Sequence, residues 1–185
     1  MRRLAGGLTV RCLFALILLA TSAQISAAQV RWQKFSGPDG DFTAEFPGTP
    51  EHASMPNNLE GSLIEVFSVI SGDHSFGVVY HDTPEPVEGR SRKSLAALAE
   101  GCRLSAKSAG HKLLRVRQLP GGVVECLSSG PSGNNIYPTD HRLERNFVRG
   151  RRYYTLSVYS WAAAGVNRAK AAPFFSSCRL TLSRE

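Results

Sequence analysis

His141-Arg142-Leu143-Glu144-Arg145-Asn146-Phe147-Val148-Arg149-Gly150-Arg151-Arg152-Tyr153-Tyr154-Thr155-Leu156-Ser157-Val158-Tyr159-Ser160-Trp161 reads as two strands folded back on each other. His141–Val148 is the first strand, Arg149-Gly150-Arg151 the turn and Tyr153–Trp161 the second strand. Successive side chains of a strand point to opposite faces, so residues two apart share a face. Tyr154, Leu156 and Val158 therefore face one way, and Tyr153, Tyr159 and Trp161 the other. A hairpin of this length makes antiparallel pairing the starting point for the fold.

The same reading extends upstream. Asp41–Phe46 alternates apolar and polar residues as a half-buried strand, and Pro47-Gly48-Thr49-Pro50 stops it. Ser62–Ile70 is apolar on both parities, which predicts a strand covered on both faces. Ser71-Gly72-Asp73 turns it into Ser75–His81, where Phe76, Val78 and Tyr80 share one face. A helix follows, capped by Ser91 or Ser94, with Leu95, Leu98, Ala99, Cys102 and Ala106 as its apolar stripe and Gly110 as its stop. Lys112–Leu119 and Val123–Ser128 pair around Leu119-Pro120-Gly121-Gly122, where proline presets the bend and glycine accepts positive φ.

Ser129–Asp140 reads as a polar loop rich in glycine, proline and asparagine. Downstream of the hairpin, a helix from about Asn167 carries Ala171, Phe174, Phe175 and Cys178 inward, and Arg179–Leu182 is a short last strand. The expected fold class is α+β: a largely antiparallel sheet of about seven strands covered by two helices.

Three segments resemble the PsbP-like (Mog/PsbP-fold) family. The first is Trp32-Gln33-Lys34-Phe35-Ser36-Gly37-Pro38-Asp39-Gly40-Asp41-Phe42-Thr43-Ala44-Glu45-Phe46-Pro47-Gly48-Thr49-Pro50: an aromatic lead, a Pro-Asp-Gly turn and a strand ending in Phe-Pro-Gly-x-Pro. The second is the hairpin from Arg145 to Leu156, and the third is Phe174-Phe175-Ser176-Ser177-Cys178-Arg179-Leu180. Gly121-Gly122-Val123-Val124-Glu125 matches the family only loosely, and Cys178 stands where an aromatic is usual. The resemblance implies an α/β/α sandwich, and a secreted bacterial domain that binds or stabilises other proteins rather than catalysing. It carries over no functional residue, because the matching positions are structural.

The N-terminus reads as an export signal. Arg2, Arg3 and Arg11 precede the apolar run Leu13–Ala20, and no acidic residue occurs before Asp39. Ser26 and Ala28 satisfy the small-x-small rule for cleavage before Gln29. An uncleaved anchor needs about 20 predominantly apolar residues, and Thr21, Ser22, Gln24 and Ser26 interrupt this one. The expected organisation is a cleavable signal over residues 1–28 and one domain over 29–185, periplasmic or secreted, with no stable membrane span after cleavage.

Removing 28 of the 185 residues leaves 157, enough for one domain with a real core. Its charge is divided along the chain. Gln29–Gly89 holds two basic and ten acidic residues, and Arg90–Glu185 holds 17 basic and five acidic. The halves either pack together and neutralise each other or present a basic face to an anionic partner. Export makes nucleic acid an implausible partner.

Cys102, Cys126 and Cys178 remain after cleavage, and an oxidising compartment favours a disulfide among them. All three pairings are open to the sequence. Cys102 and Cys178 both lie on apolar helical faces, which makes them the preferred pair; three buried free thiols are the alternative. No two of these cysteines are close enough in sequence to chelate a metal.

No catalytic set emerges. His74 and His81 stand at the two ends of one predicted strand, beside Asp73 and Asp82, and read as solvated turn residues that cannot chelate together. Ser132-Gly133-Asn134 is similar to a β-lactamase element, but the Ser-x-x-Lys and Lys-Thr-Gly motifs are absent. No phosphate loop or dinucleotide fingerprint occurs, and no cofactor is expected. The candidate partner-binding residues are those of the basic hairpin: Arg142, Arg145, Arg149, Arg151, Arg152 and Tyr153. Arginine and aromatic residues are enriched at protein interfaces, so an envelope protein or an anionic envelope component is the expected partner. The leading expectation is a non-enzymatic binding or assembly-accessory domain. A small hydrolase whose residues meet only in three dimensions, or an apolar-ligand carrier, is the alternative.

Overall fold

The computed structural model describes residues 30–57, 62–87, 89–132 and 137–181. The proposed signal over residues 1–28 lies outside them, as do part of the predicted 129–140 loop and Leu182. Among the described residues ten strands and two helices follow in order: β1 (Gln33–Ser36), β2 (Phe42–Phe46), β3 (Glu51–Pro56), β4 (Leu63–Ser71), β5 (His74–Asp82), α1 (Arg92–Ser108), β6 (Lys112–Leu119), β7 (Val123–Pro131), β8 (Thr139–Arg149), β9 (Arg152–Ser160), α2 (Arg168–Ser177) and β10 (Arg179–Leu180).

Seven strands form one antiparallel sheet in the order β3-β4-β5-β9-β8-β7-β6. The other three form a small antiparallel sheet, β1-β2-β10. The hairpin that opened the sequence is β8–β9, paired from His141↔Ser160 to Arg149↔Arg152. Its loop is Gly150-Arg151, and Gly150 sits at φ +58°, the first central position at which a type II′ turn calls for glycine.

One face of the large sheet carries the main core. Phe67, Val69, Phe76, Val78, Tyr80, Leu143, Phe147, Tyr154, Leu156 and Val158 meet Phe42, Ala44 and Phe46 of β2 and Ala171, Phe174 and Phe175 of α2. The small sheet and α2 therefore form the cover on this side. On the other face, Leu98 and Cys102 of α1 pack with Val124, Cys126 and Val148. Ser91 caps α1 by accepting the Ser94 N–H at 3.1 Å. Asn167 caps α2, accepting from the N–H groups of Ala169 and Lys170.

The disulfide joins Cys102 to Cys126, with Cα atoms 6.3 Å apart, and not Cys102 to Cys178. The reason is the sheet itself. Cys102 faces Cys126 across the α1–β7 contact, whereas Cys178, at the end of α2, packs against the core on the opposite face. Two cysteines on apolar helical faces are no evidence of proximity when the helices cover different sides. Cys178 remains a free thiol, and burial pushes its pKa up to about 11. In the chain beginning at Gln29, titration under denaturing conditions is expected to count one thiol without reductant and three with it. Three without reductant would rule out the disulfide.

Other expectations are also corrected. β4 is covered on one face only: Phe67 and Val69 are buried, Ile64 and Val66 are half-buried, and Ile70 is 71% exposed. His74 is buried rather than solvated, with Nδ1 at 2.5 Å from Asp73 Oδ1. The predicted 129–140 loop is shorter than expected, because β7 runs to Pro131 and pairs it with Thr139 at the start of β8. β3 had no sequence signal. It is an edge strand with every residue exposed, so it has no apolar face to show.

Candidate functional site

Of the six hairpin residues, the fold uses most internally and does not gather them at one point. Arg152 donates to both carboxylate oxygens of Asp82, at 2.6 and 3.0 Å, and to Asp41 Oδ2 at 2.7 Å. Its guanidinium also lies 4.4 Å from the centre of the Tyr80 ring. Arg151 donates to the carbonyls of Thr83 and Pro84, tying the chain after β5 to the hairpin turn. Tyr153 donates its hydroxyl to Asn146 on the α1 side of the sheet, and burial raises its pKa to about 12. Arg142 reaches Asp140 at 3.4 Å and lies over the Tyr159 ring.

Arg145 and Arg149 lie on the core face of the sheet, two and six residues beyond Leu143, and there they join side chains from other elements. Glu125 of β7 is 1% exposed, and four guanidiniums converge on it. Arg117 stands at 2.9 Å, Arg145 at 3.1 Å, Arg168 at 3.3 Å and Arg115 at 3.6 Å. The pattern behind this is simple alternation. Register pairs Arg117 with Glu125 and Glu125 with Arg145, so β6, β7 and β8 place the three charges side by side on one face. Arg168 is added from the first turn of α2. Arg145 further stacks over the Phe175 ring, with its guanidinium 4.4 Å from the ring centre.

Beside this cluster a cleft of about 620 Å³ opens between the end of the sheet and the C-terminal end of α2 with β10. Val123, Phe147, Leu156 and Phe175 contribute apolar surface to it, and Arg90, Arg145, Arg149 and Arg179 contribute charge. No acidic residue lines it among the described residues. Sequence reasoning found Arg145 and Arg149 but missed Glu125, Arg90 and Arg179. The available signal was Glu125 itself, one of only five acidic residues after Gly89, at a core parity position between Val123 and Leu127.

A second polar cluster lies at the other end of β7 and β8. His111 has a fully buried side chain, with Nε2 at 2.9 Å from Asp140 Oδ1. Burial pushes its pKa down, Arg142 pushes the same way, and Asp140 opposes them. A catalytic histidine must reach a substrate proton; this one is shut away from solvent and serves as a polar tie between α1's C-terminal turn and β8. Among the described residues, no group of three His, Cys, Asp or Glu side chains is placed to hold a metal ion. Among the same residues no helix is long and apolar enough to cross a membrane.

No family model matches the sequence, and no curated protein matches it. Solved structures do. Cyanobacterial PsbP from Synechocystis sp. PCC 6803 superposes with a TM-score of 0.56 at 13% identity, covering 84% of this chain and 96% of that one. A structure from Bacteroides thetaiotaomicron aligns over 83% of this chain and 50% of its own, with a TM-score of 0.47 and 10% identity. The second likeness is too weak to argue from; the first spans nearly the whole of that chain. With its seven-stranded antiparallel sheet, its small second sheet and its two covering helices, this chain has the PsbP-like fold.

Proposed function

We propose that this chain is an exported domain, cut before Gln29, that works in a bacterial periplasm as a non-enzymatic accessory docking on an envelope protein. The export half of this reading rests on the signal-like order of residues 1–28. The Cys102–Cys126 disulfide supports it, since such bonds persist in oxidising compartments. The PsbP-like fold supports the accessory half.

The observation that carries the docking is the outer face of β3, β4 and β5. α1 packs on β6 and β7, and away from it the sheet presents Ile70, 71% exposed, and Met55, 46% exposed. Half-buried Ile64, Val66 and Val79 lie on the same face. Met55, Ile64, Val66 and Val79 form an apolar patch on that face, with Ile70 beyond Ser68 at its far end, and exposed apolar side chains of this kind suit a protein interface. The hairpin tip adds a second contact. Arg149 and Arg151 stand at the turn and donate to backbone carbonyls, while Arg142, Arg145, Arg152 and Tyr153 are engaged with other side chains of the fold.

The test is recovery of crosslinked partners from native envelope by the purified domain. Ile70→Asp should abolish recovery of the partner, because it places a charge in the contact without disturbing the core. Arg149→Glu combined with Arg151→Glu should weaken it. Both variants are checked for the wild-type circular dichroism spectrum. Recovery of the same proteins in the same yield by both would sink the docking reading.

A further inference from the structure

The cleft beside Glu125 is not used by docking through the open sheet face, and its chemistry is of a different kind. Its volume of about 620 Å³ lies within the range of small-molecule sites, which run to roughly 300–1,000 Å³. Phe147, Leu156 and Phe175 reach the cleft wall from the core with at most 8% of each residue exposed, and half-buried Leu119, Val123 and Leu180 add apolar surface beside them. Cys178 adds a half-buried free thiol held in its neutral form, so it is an apolar wall that alkylates slowly.

Among the described residues, the charged side chains that line the cleft are all arginines. Arg90, Arg145, Arg149 and Arg179 line it, Arg115, Arg117 and Arg168 stand next to it, and Glu125 is the one carboxylate among them. One buried carboxylate cannot neutralise seven guanidiniums. The excess makes a strongly positive potential over an apolar cavity, and the guanidinium fork matches carboxylate and phosphate oxygens in geometry. Placement separates the two chemistries. Arg179 follows α2 directly in β10, and Arg90 precedes α1, so these charges come from chain segments around the sheet, while the apolar surface comes largely from the sheet and α2.

We propose that this cleft binds an anionic amphiphile: an acyl or alkyl chain lying against Phe147, Leu156 and Phe175, with its carboxylate or phosphate head held by Arg90, Arg149 and Arg179. Neither part suffices alone. A free anion would forgo the apolar contacts, and a neutral chain would leave Arg149 and Arg179 with backbone carbonyls as acceptors but no counter-charge.

Calorimetric titration of the purified domain, with each probe kept below its micelle concentration, tests this. Decanoate and decyl phosphate are expected to bind one per chain and to compete with each other. Which of the two binds more tightly distinguishes a carboxylate source from a phosphate source. Decyl maltoside, decyltrimethylammonium and inorganic phosphate are expected to bind at least roughly tenfold more weakly. Arg90→Ala combined with Arg179→Ala should weaken decyl phosphate by roughly tenfold while leaving its circular dichroism unchanged. Occupancy is also read at a wild-type residue: decyl phosphate should slow alkylation of Cys178, which lines the cleft. Equal binding of inorganic phosphate would reduce the cleft to an anion site, and equal binding of decyl maltoside would remove the role of the arginines. Either result overturns the proposal, as does the absence of saturable binding or of protection at Cys178.

Discussion

Replacing Arg152 by methionine is expected to cost the domain about 3–5 kcal/mol, the usual penalty for breaking a buried ion pair from one side. The three carboxylates around it do not share that cost equally. Asp39 and Asp82 are 66% and 53% exposed, so losing Arg152 leaves them in water, and pairs of that kind contribute about 0–1 kcal/mol. Asp41 is different, with only 7% of its side chain exposed. Without Arg152 it keeps the Tyr154 hydroxyl at 2.7 Å and must otherwise hold its charge unpaired or take up a proton.

The expectation is checked by urea unfolding, and a second substitution separates its causes. Asp41→Asn added to Arg152→Met should recover part of the loss, because it removes the orphaned charge while keeping the shape. A loss below about 1 kcal/mol for Arg152→Met alone would place the whole cluster with ordinary surface pairs. The acid limb should also change. Arg152 holds the Asp82 carboxyl below its ordinary 3.8. A carboxyl lowered in the folded state contributes stability above its unfolded pKa and loses it as pH falls through the folded one. The wild-type domain should therefore lose more stability on acidification below that point than Arg152→Met does.

Phe174→Ala is the second large effect, expected at about 3–5 kcal/mol. The ring is fully buried and stands edge-on to Phe46 at 5.3 Å and to Phe76 at 5.7 Å, with Phe175 at 5.5 Å. It therefore joins three layers: the small sheet through Phe46, the large sheet through Phe76, and α2 itself. Removing it leaves a void that aromatic neighbours on three separate elements cannot close without moving the backbone. Unfolding in urea measures the loss, with Ile70→Ala as the reference. Ile70 is exposed and should change stability by no more than about 0.5 kcal/mol. Near-equal losses in the two variants would show that α2 contributes little to the core.

The difference between these two residues also separates what could be read before the fold from what could not. Phe174 was legible: its spacing from Ala171 and Phe175 marks one apolar face of a helix, and the structure buries all three. Arg152 was legible only as one of several arginines near a turn. Its partners Asp41 and Asp82 lie 111 and 70 residues away in the chain. They meet it because β9 pairs with β5 and the small sheet lies over that pairing.

Periodicity speaks for contacts within an element, because side-chain direction follows from local backbone geometry. The alternation in β2, β5, β8 and β9, the stripe of α1 and the glycine turns were all contained in that local code, and with them an α+β fold with antiparallel pairing. Which elements become neighbours is decided by packing between residues far apart in sequence, and no local period reports it. That is why the helix covering β7 chose Cys126 for Cys102, why β4 was left open on its outer face, and why Glu125 drew four arginines from three different elements. The strand pattern, apart from β1 and β3, was settled by the amino acids alone. The cleft with its ring of positive charge exists only because the tertiary structure brought α2 and the chain before α1 to the same end of the sheet.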